Sequence, residues 1–161
     1  MSKQPTSSVG DGRETFQRKG AKSNAHVGGE FEDAVAKFLA KSEGWVLQSN
    51  VKISLGFDRK KPHAFDLVSD NPKVVIECKS HKWTEGGNVP SAKITTWNEV
   101  MLYFSITPPC YRKILFALRD ARYGHGETLA AYYLRNHRHL VPSGVELWEY
   151  DEIADNATRI K

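Results

Sequence analysis

The stretch from Ala64 to Lys79 constrains the fold more than any other, because it sets ionisable groups inside two apolar segments separated by a turn. Val74, Val75 and Ile76 form a β-branched run. Such side chains pack well on a pleated, buried surface, so the run predicts a strand. Side chains alternate across a strand, so Glu77 and Lys79 share one face with Val75 while Ile76 and Cys78 take the other. The preceding segment, His63-Ala64-Phe65-Asp66-Leu67-Val68, again holds one acid in apolar company, and Ser69-Asp70-Asn71-Pro72 is a turn signal. A hairpin symmetric about that turn sets Val68 opposite Val75 and Asp66 opposite Glu77, with the two carboxylates roughly 5 Å apart. Carboxylates that close repel unless a divalent cation sits between them. A slip of one residue would separate them.

A Glu-x-Lys triplet on an exposed strand is ordinarily a solvated ion pair. Here the acid is embedded in a β-branched run, with a second acid on the expected neighbouring strand, and buried charges need partners. The flanking loops are basic: Arg59-Lys60-Lys61 precedes the Asp66 strand, and His81-Lys82 follows Lys79. Cations at such a rim suit a phosphate backbone, which they position without reading sequence; an ordinary solvated face is the alternative. The net charge of +4 and pI near 9.0 agree with a polyanionic partner without demanding one.

A chain of 161 residues, 40% of them hydrophobic, supports one core. We expect a single domain over residues 26–155, between a flexible basic arm at 1–25 and a tail at 156–161. The arm has scarcely an apolar residue besides Phe16, and Lys3, Arg13, Arg18, Lys19 and Lys22 outnumber Asp11 and Glu14. Two cysteines, Cys78 and Cys110, lack metal-like spacing, so neither a disulfide scaffold nor a zinc site is expected. With no secretory signal and no apolar run approaching the roughly 20 residues that span a bilayer, the expectation is a cytoplasmic protein without a membrane partner.

Around the hairpin, a first helix is predicted from Gly28 to about Ser42, with Phe31, Val35, Phe38 and Leu39 as its apolar stripe and Gly44 closing it. Glu32 lies at the edge of that stripe and is the acid best placed to look inward. Trp45 to Leu55 reads as a long or kinked strand, and Ser91 is expected to cap a helix reaching Ile106. On that helix Asn98 projects among Ile94 and Met101, as possible polar support or as a satisfied core amide, and Lys93 is within reach of a phosphate. Pro108-Pro109 stops it, Lys113 to Leu118 is a buried strand, Glu127 to Leu140 a helix, and Val145 to Tyr150 a last strand. His137 and His139, two apart on a helix, point away from each other and cannot share an ion.

Asp66, then Glu77-Cys78-Lys79, with Gly28-Gly29-Glu30-Phe31-Glu32 upstream, resembles the PD-(D/E)xK phosphodiesterase superfamily with its restriction-endonuclease-like fold. The residue before Asp66 is Phe65 where the family often has proline, and the likeness covers about residues 28 to 118. The resemblance implies an α/β core of order α-β-β-β-α-β, a mixed central sheet flanked by helices, here with a C-terminal helix-strand extension. It implies a Mg²⁺-dependent DNA endonuclease, with Mn²⁺ able to substitute, hydrolysing a phosphodiester through a metal-activated water. Asp66, Glu77 and the backbone carbonyl of Cys78 would hold the metal, Glu32 would add a ligand, and Lys79 would orient or activate the water. DNA is the implied partner, met by Arg59, Lys60, Lys61, His81, Lys82 and Lys93; a homodimer is left open and no organic cofactor is implied. The alternative is a non-catalytic nucleic-acid-binding or protein-interaction subunit.

Overall fold

A computed structural model describes residues 24–161; the arm expected at 1–25 falls, up to residue 23, outside the described residues. Helix α1 (Asn24–Glu43) is followed by strands β1 (Gln48–Leu55), β2 (Lys61–Asp70) and β3 (Lys73–Lys79). Helix α2 (Ser91–Ile106), strand β4 (Arg112–Leu118), helix α3 (Leu129–His137), a 3-10 turn at Arg138–Leu140, and strands β5 (Val145–Asp151) and β6 (Asn156–Arg159) complete the order. The six strands form one sheet in sequence order, β1-β2-β3-β4-β5-β6. Pairing is antiparallel from β1 to β3, parallel from β3 to β5, and antiparallel again between β5 and β6.

Two parallel crossovers, β3-α2-β4 and β4-α3-β5, step in the same direction along the sheet. Right-handed crossovers of that kind lay both helices on one face. Accordingly Val75, Leu115, Ala117 and Leu147 pack with Trp97, Phe104 and Tyr133 of α2 and α3. On the opposite face Val74, Ile76, Cys78, Ile114 and Phe116 pack with Phe31, Val35 and Leu39 of α1. The central strands are thus covered on both sides, which is why they read as continuous apolar runs and not as alternation. Phe65, Phe104 and Phe116 are fully buried, each stabilising the fold by about 2–3 kcal/mol relative to exposure.

The structure moves several boundaries. Helix α1 begins at Asn24, inside the segment expected to be arm. Ser91 does not cap α2; Pro90 holds the cap position without a side-chain bond, and Ser91 is the first helical residue. Helix α3 starts at Leu129 because the Thr128 hydroxyl accepts from the Ala131 amide, as an N-cap does. The expected tail at 156–161 is instead the edge strand β6: Asp155 adopts φ +46, the chain turns back, and Trp148 to Asp151 pair with Asn156 to Arg159. That strand is held by backbone bonds and has no apolar alternation to announce it. No helix of the described residues is long and apolar enough to cross a membrane.

Candidate active site at the carboxyl end of strand β3

Strands β2 and β3 pair as the turn symmetry predicts, with Val68 opposite Val75 and Leu67 opposite Ile76, and there the ladder ends. The same register carries Asp66 to the level of Glu77. Alternation on β2 breaks at that point. Phe65 stacks on Phe104 of α2, whereas Leu67, two residues on, packs in the α1 layer. Strand β1 does the same beside it: Asn50 adopts φ +55, and the ladder passes from Ser49–Leu67 to Val51–Phe65 without pairing Asn50 or Asp66. Freed from the sheet pattern, the Asp66 carboxylate turns along β3, where its Oδ2 accepts from the Cys78 amide at 2.7 Å. This bond ties β2 to β3 just where their backbone pairing stops.

Glu77 is only 5% exposed. Its Oε2 accepts from Lys79 Nζ at 3.0 Å, and its Oε1 from His63 Nε2 at 3.2 Å. With Glu77 ionised and able only to accept, this contact is made by the His63 form that carries a proton on Nε2. The His63 ring is fixed in turn by stacking on Tyr103 of α2, 3.6 Å between centroids, and by an edge contact with Phe65. Sequence reasoning gave His63 no role beyond its place at the start of the Asp66 segment. The signal available was its period-two relation to Phe65, but the break at Asp66 hides which face that is.

Burial pushes the Glu77 carboxyl above its ordinary range; Lys79 pulls it back in part, and Asp66 adds to the rise. Burial works against the charge of Lys79, yet the Glu77 and Asp66 carboxylates outweigh it and hold its ammonium above the usual value. Lys79 is therefore a firmly protonated cation. On α1, half-buried Glu32 is pushed up to about 7, first by burial, then by Asp66, with Lys79 opposing and Glu77 and Asp33 adding. Cys78 turns its thiol into the α1 layer, where burial and then the Asp66 and Glu32 carboxylates push it well up.

Glu32, Asp66 and Glu77 thus converge electrostatically, and the donor set is all oxygen, the chemistry of Mg²⁺ and other hard cations. A ready cage is not present: among the described residues no three His, Cys, Asp or Glu side chains sit together closely enough to hold a metal ion. Mg²⁺ does not require one, since it commonly keeps several waters and one or two carboxylates. The residues present fit such an ion as a partly hydrated guest.

The cationic residues divide into two groups. Ser80, His81, Lys82 and Lys93 line a cleft of about 670 Å³ that reaches Cys78. His81 is not a cation at neutral pH: its Nδ1 accepts from Trp97 Nε1 at 2.9 Å, and burial, then Lys93 and Lys79, bring its pKa down to about 4. What it offers is a neutral Nε2–H donor in a fixed tautomer. Arg59, Lys60 and Lys61 are exposed but do not border this cleft; they lie at the β1-β2 turn, beyond the end of β3. Asn98 is partly buried, and its Oδ1 accepts from the Tyr133 hydroxyl at 3.0 Å, which gives that oxygen a structural partner.

No family model matches the chain, and no curated protein does. Among solved structures, the crystal structure of an XisH family protein from Nostoc punctiforme PCC 73102 is similar at 12% identity. The alignment covers 80% of this chain and 95% of that one, with a TM-score of 0.41. A likeness that loose leaves the function of this chain to its own residues.

Proposed function

We propose that the protein is a metal-dependent nuclease that hydrolyses phosphodiester bonds in DNA, with its centre at Glu32, Asp66, Glu77 and Lys79. The observation that supports this most is the buried Glu77, gripped by His63 and Lys79 beside Asp66 at the carboxyl end of a central strand. Open α/β sheets bind ligands at such strand ends. Burying a charge there is costly, and acids held in this way at a strand end are candidates for function.

In this reading Asp66 and Glu77 hold a divalent cation, with Glu32 contributing directly or through water and the Cys78 carbonyl nearby. Mg²⁺ or Mn²⁺ bound there supplies Lewis-acid neutralisation of the phosphate and a water made acidic enough to attack. Lys79, whose ammonium lies 3.0 Å from Glu77, would orient the attacking water and offset charge developing on the phosphate oxygens. His63 acts through Glu77: stacked on Tyr103, it fixes the rotamer of a ligand carboxylate, as partners behind metal ligands do. His81 offers a hydrogen bond to a phosphate oxygen whose strength does not change near neutral pH, and Lys82 and Lys93 add charge.

One observation favours the alternative, a non-catalytic nucleic-acid-binding subunit: both Glu77 oxygens already have protein partners. Cleavage of labelled linear, single-stranded and branched DNA with Mg²⁺ or Mn²⁺ separates the two. The nuclease reading expects cleavage that Asp66→Ala and Lys79→Ala abolish. Cleavage surviving both substitutions removes the site assignment, and none on any substrate supports the binding subunit.

A further inference from the structure

The carboxyl end of β3 is flanked by two projections, one on each side of it in the sheet. Strand β2 runs antiparallel to β3, so the turn that precedes it emerges at the same end as Lys79. Residues Lys61 to Phe65 pair with Val51 to Leu55 alone, forming a two-stranded arm that overhangs the site. Lys61 lies five residues before Asp66, about 17 Å along an extended strand. At the tip stands Phe57, 84% exposed, followed by Arg59, Lys60 and Lys61. The turn is tightly built: Gly56 adopts φ +153, and a Cβ there would run into the Arg59 carbonyl oxygen.

Strand β4 runs parallel to β3, so the segment after it also leaves at this end, on the other flank. It carries Tyr123, 97% exposed, between Arg122 and His125. This loop too is braced. The Trp83 amide donates to Asp120 Oδ2 at 2.7 Å, Trp83 Nε1 donates to the Glu127 carbonyl at 3.2 Å, and the Arg122 guanidinium lies 5.2 Å from the Trp83 ring. Each flank of the site thus presents one bare aromatic ring beside basic residues, held on a structured support.

An exposed aromatic ring offers a flat face, and nucleobases stack on such faces whatever their sequence. In an intact duplex the base faces are already occupied by their neighbours. Resting on the reading of this protein as one that meets DNA, we infer that Phe57 and Tyr123 are stacking platforms for unpaired bases on either side of the attacked phosphodiester. The preferred substrate is therefore DNA with unpaired bases at the cut, such as single strands, flaps or forks.

The test is equilibrium binding of fluorescent oligonucleotides in EDTA, where hydrolysis cannot contribute, to the full chain and to Phe57→Ala and Tyr123→Ala. The wild type should bind single-stranded or forked DNA at least about tenfold more tightly than an intact duplex of equal length. Each substitution should weaken single-strand binding by roughly tenfold and duplex binding by less than about twofold, with unchanged melting temperature. A 2-aminopurine placed near the junction should be quenched by the wild type and less by the variants. Equal affinity for single strands and duplex, or no loss in either variant, overturns this inference while leaving the nuclease proposal standing. Phe57-dependent adsorption to anionic lipid vesicles with no preference for unpaired DNA also overturns it. Failure of the wild type to bind any DNA would instead remove the nucleic-acid reading beneath it.

Discussion

Two buried glutamates on the same sheet show how differently one side chain can be housed. Glu146, 9% exposed near the amino end of β5, is held by Arg112 through Nε at 2.6 Å and Nη2 at 2.8 Å, with Trp148 Nε1 at 2.9 Å. Burial raises its pKa, but the Arg112 and Trp148 hydrogen bonds and the Arg112 and Arg159 charges outweigh that, and the carboxyl ends below its ordinary value. Glu77, at the carboxyl end of β3, is buried too, but the opposing Lys79 charge and the Lys79 and His63 hydrogen bonds do not offset that burial, Asp66 adds to the rise, and it ends above. One acid is neutralised by a forked guanidinium and is finished as a structural pair. The other keeps a burial penalty that its partners do not cancel, beside a second carboxylate, and a guest cation would relieve both.

The largest effect expected from this contrast is on catalysis. Asp66→Asn and Glu77→Gln should each lower DNA cleavage on the order of a thousandfold, whereas Glu146→Gln should leave the rate per folded molecule within about twofold. A Glu146 variant as inactive as a Glu77 variant would erase the distinction. Stability should move the other way. Urea unfolding should show Glu146→Gln destabilised by about 1–2 kcal/mol, a figure discounted because Arg112 is partly exposed, and Glu77→Gln by less. The Glu146 contribution has a definite sign with pH. Its folded pKa is depressed, so its stabilisation is present above the ordinary carboxylate range and fades as pH falls through the folded value. The variant should lack that part of the acid-side loss.

Glu32 titrates with the opposite sign. Its folded pKa of about 7 lies above the ordinary 4.5, so the fold prefers it protonated, and stability falls as pH rises between those values. With metal chelated, Glu32→Gln should raise the melting temperature by about 2 °C at pH 8 and leave it unchanged at pH 4, the gain being small because Glu32 is only half-buried. A variant that gains nothing at pH 8 would show that burial and the Asp66 charge do not disfavour the Glu32 carboxylate as described. The smallest effect is at His63. His63→Leu should slow cleavage roughly tenfold, and His63→Gln, which can still donate to Glu77, should recover most of it. Equal loss in both would assign His63 a packing role only.

Much of this arrangement was legible in the sequence, for physical reasons specific to each part. The β-branched run Val74 to Ile76 and the turn at Asp70 to Pro72 together specify a hairpin register, and Val68 does face Val75. Helix α1 announced itself through Phe31, Val35 and Leu39. The break of alternation at Asp66 was not legible, because it goes with a left-handed backbone conformation at Asn50 that asparagine tolerates but does not announce. His63 escaped notice for the same reason, since its approach to Glu77 follows from that break. His81 read as a cation because what keeps it neutral, burial first and then the charges of Lys93 and Lys79, is set by tertiary packing that the local sequence does not show. Strand β6 rests on main-chain bonds, which composition does not report.

Binding of Mn²⁺ to the chelator-treated protein without DNA, followed by the electron paramagnetic resonance signal of the free ion, probes the shared centre directly. Saturable binding to the wild type that is weakened at least tenfold by Asp66→Asn and by Glu77→Gln, and not by Glu146→Gln, is the result expected. Binding that all three substitutions leave intact, or none in the wild type, would contradict a cation site at these acids.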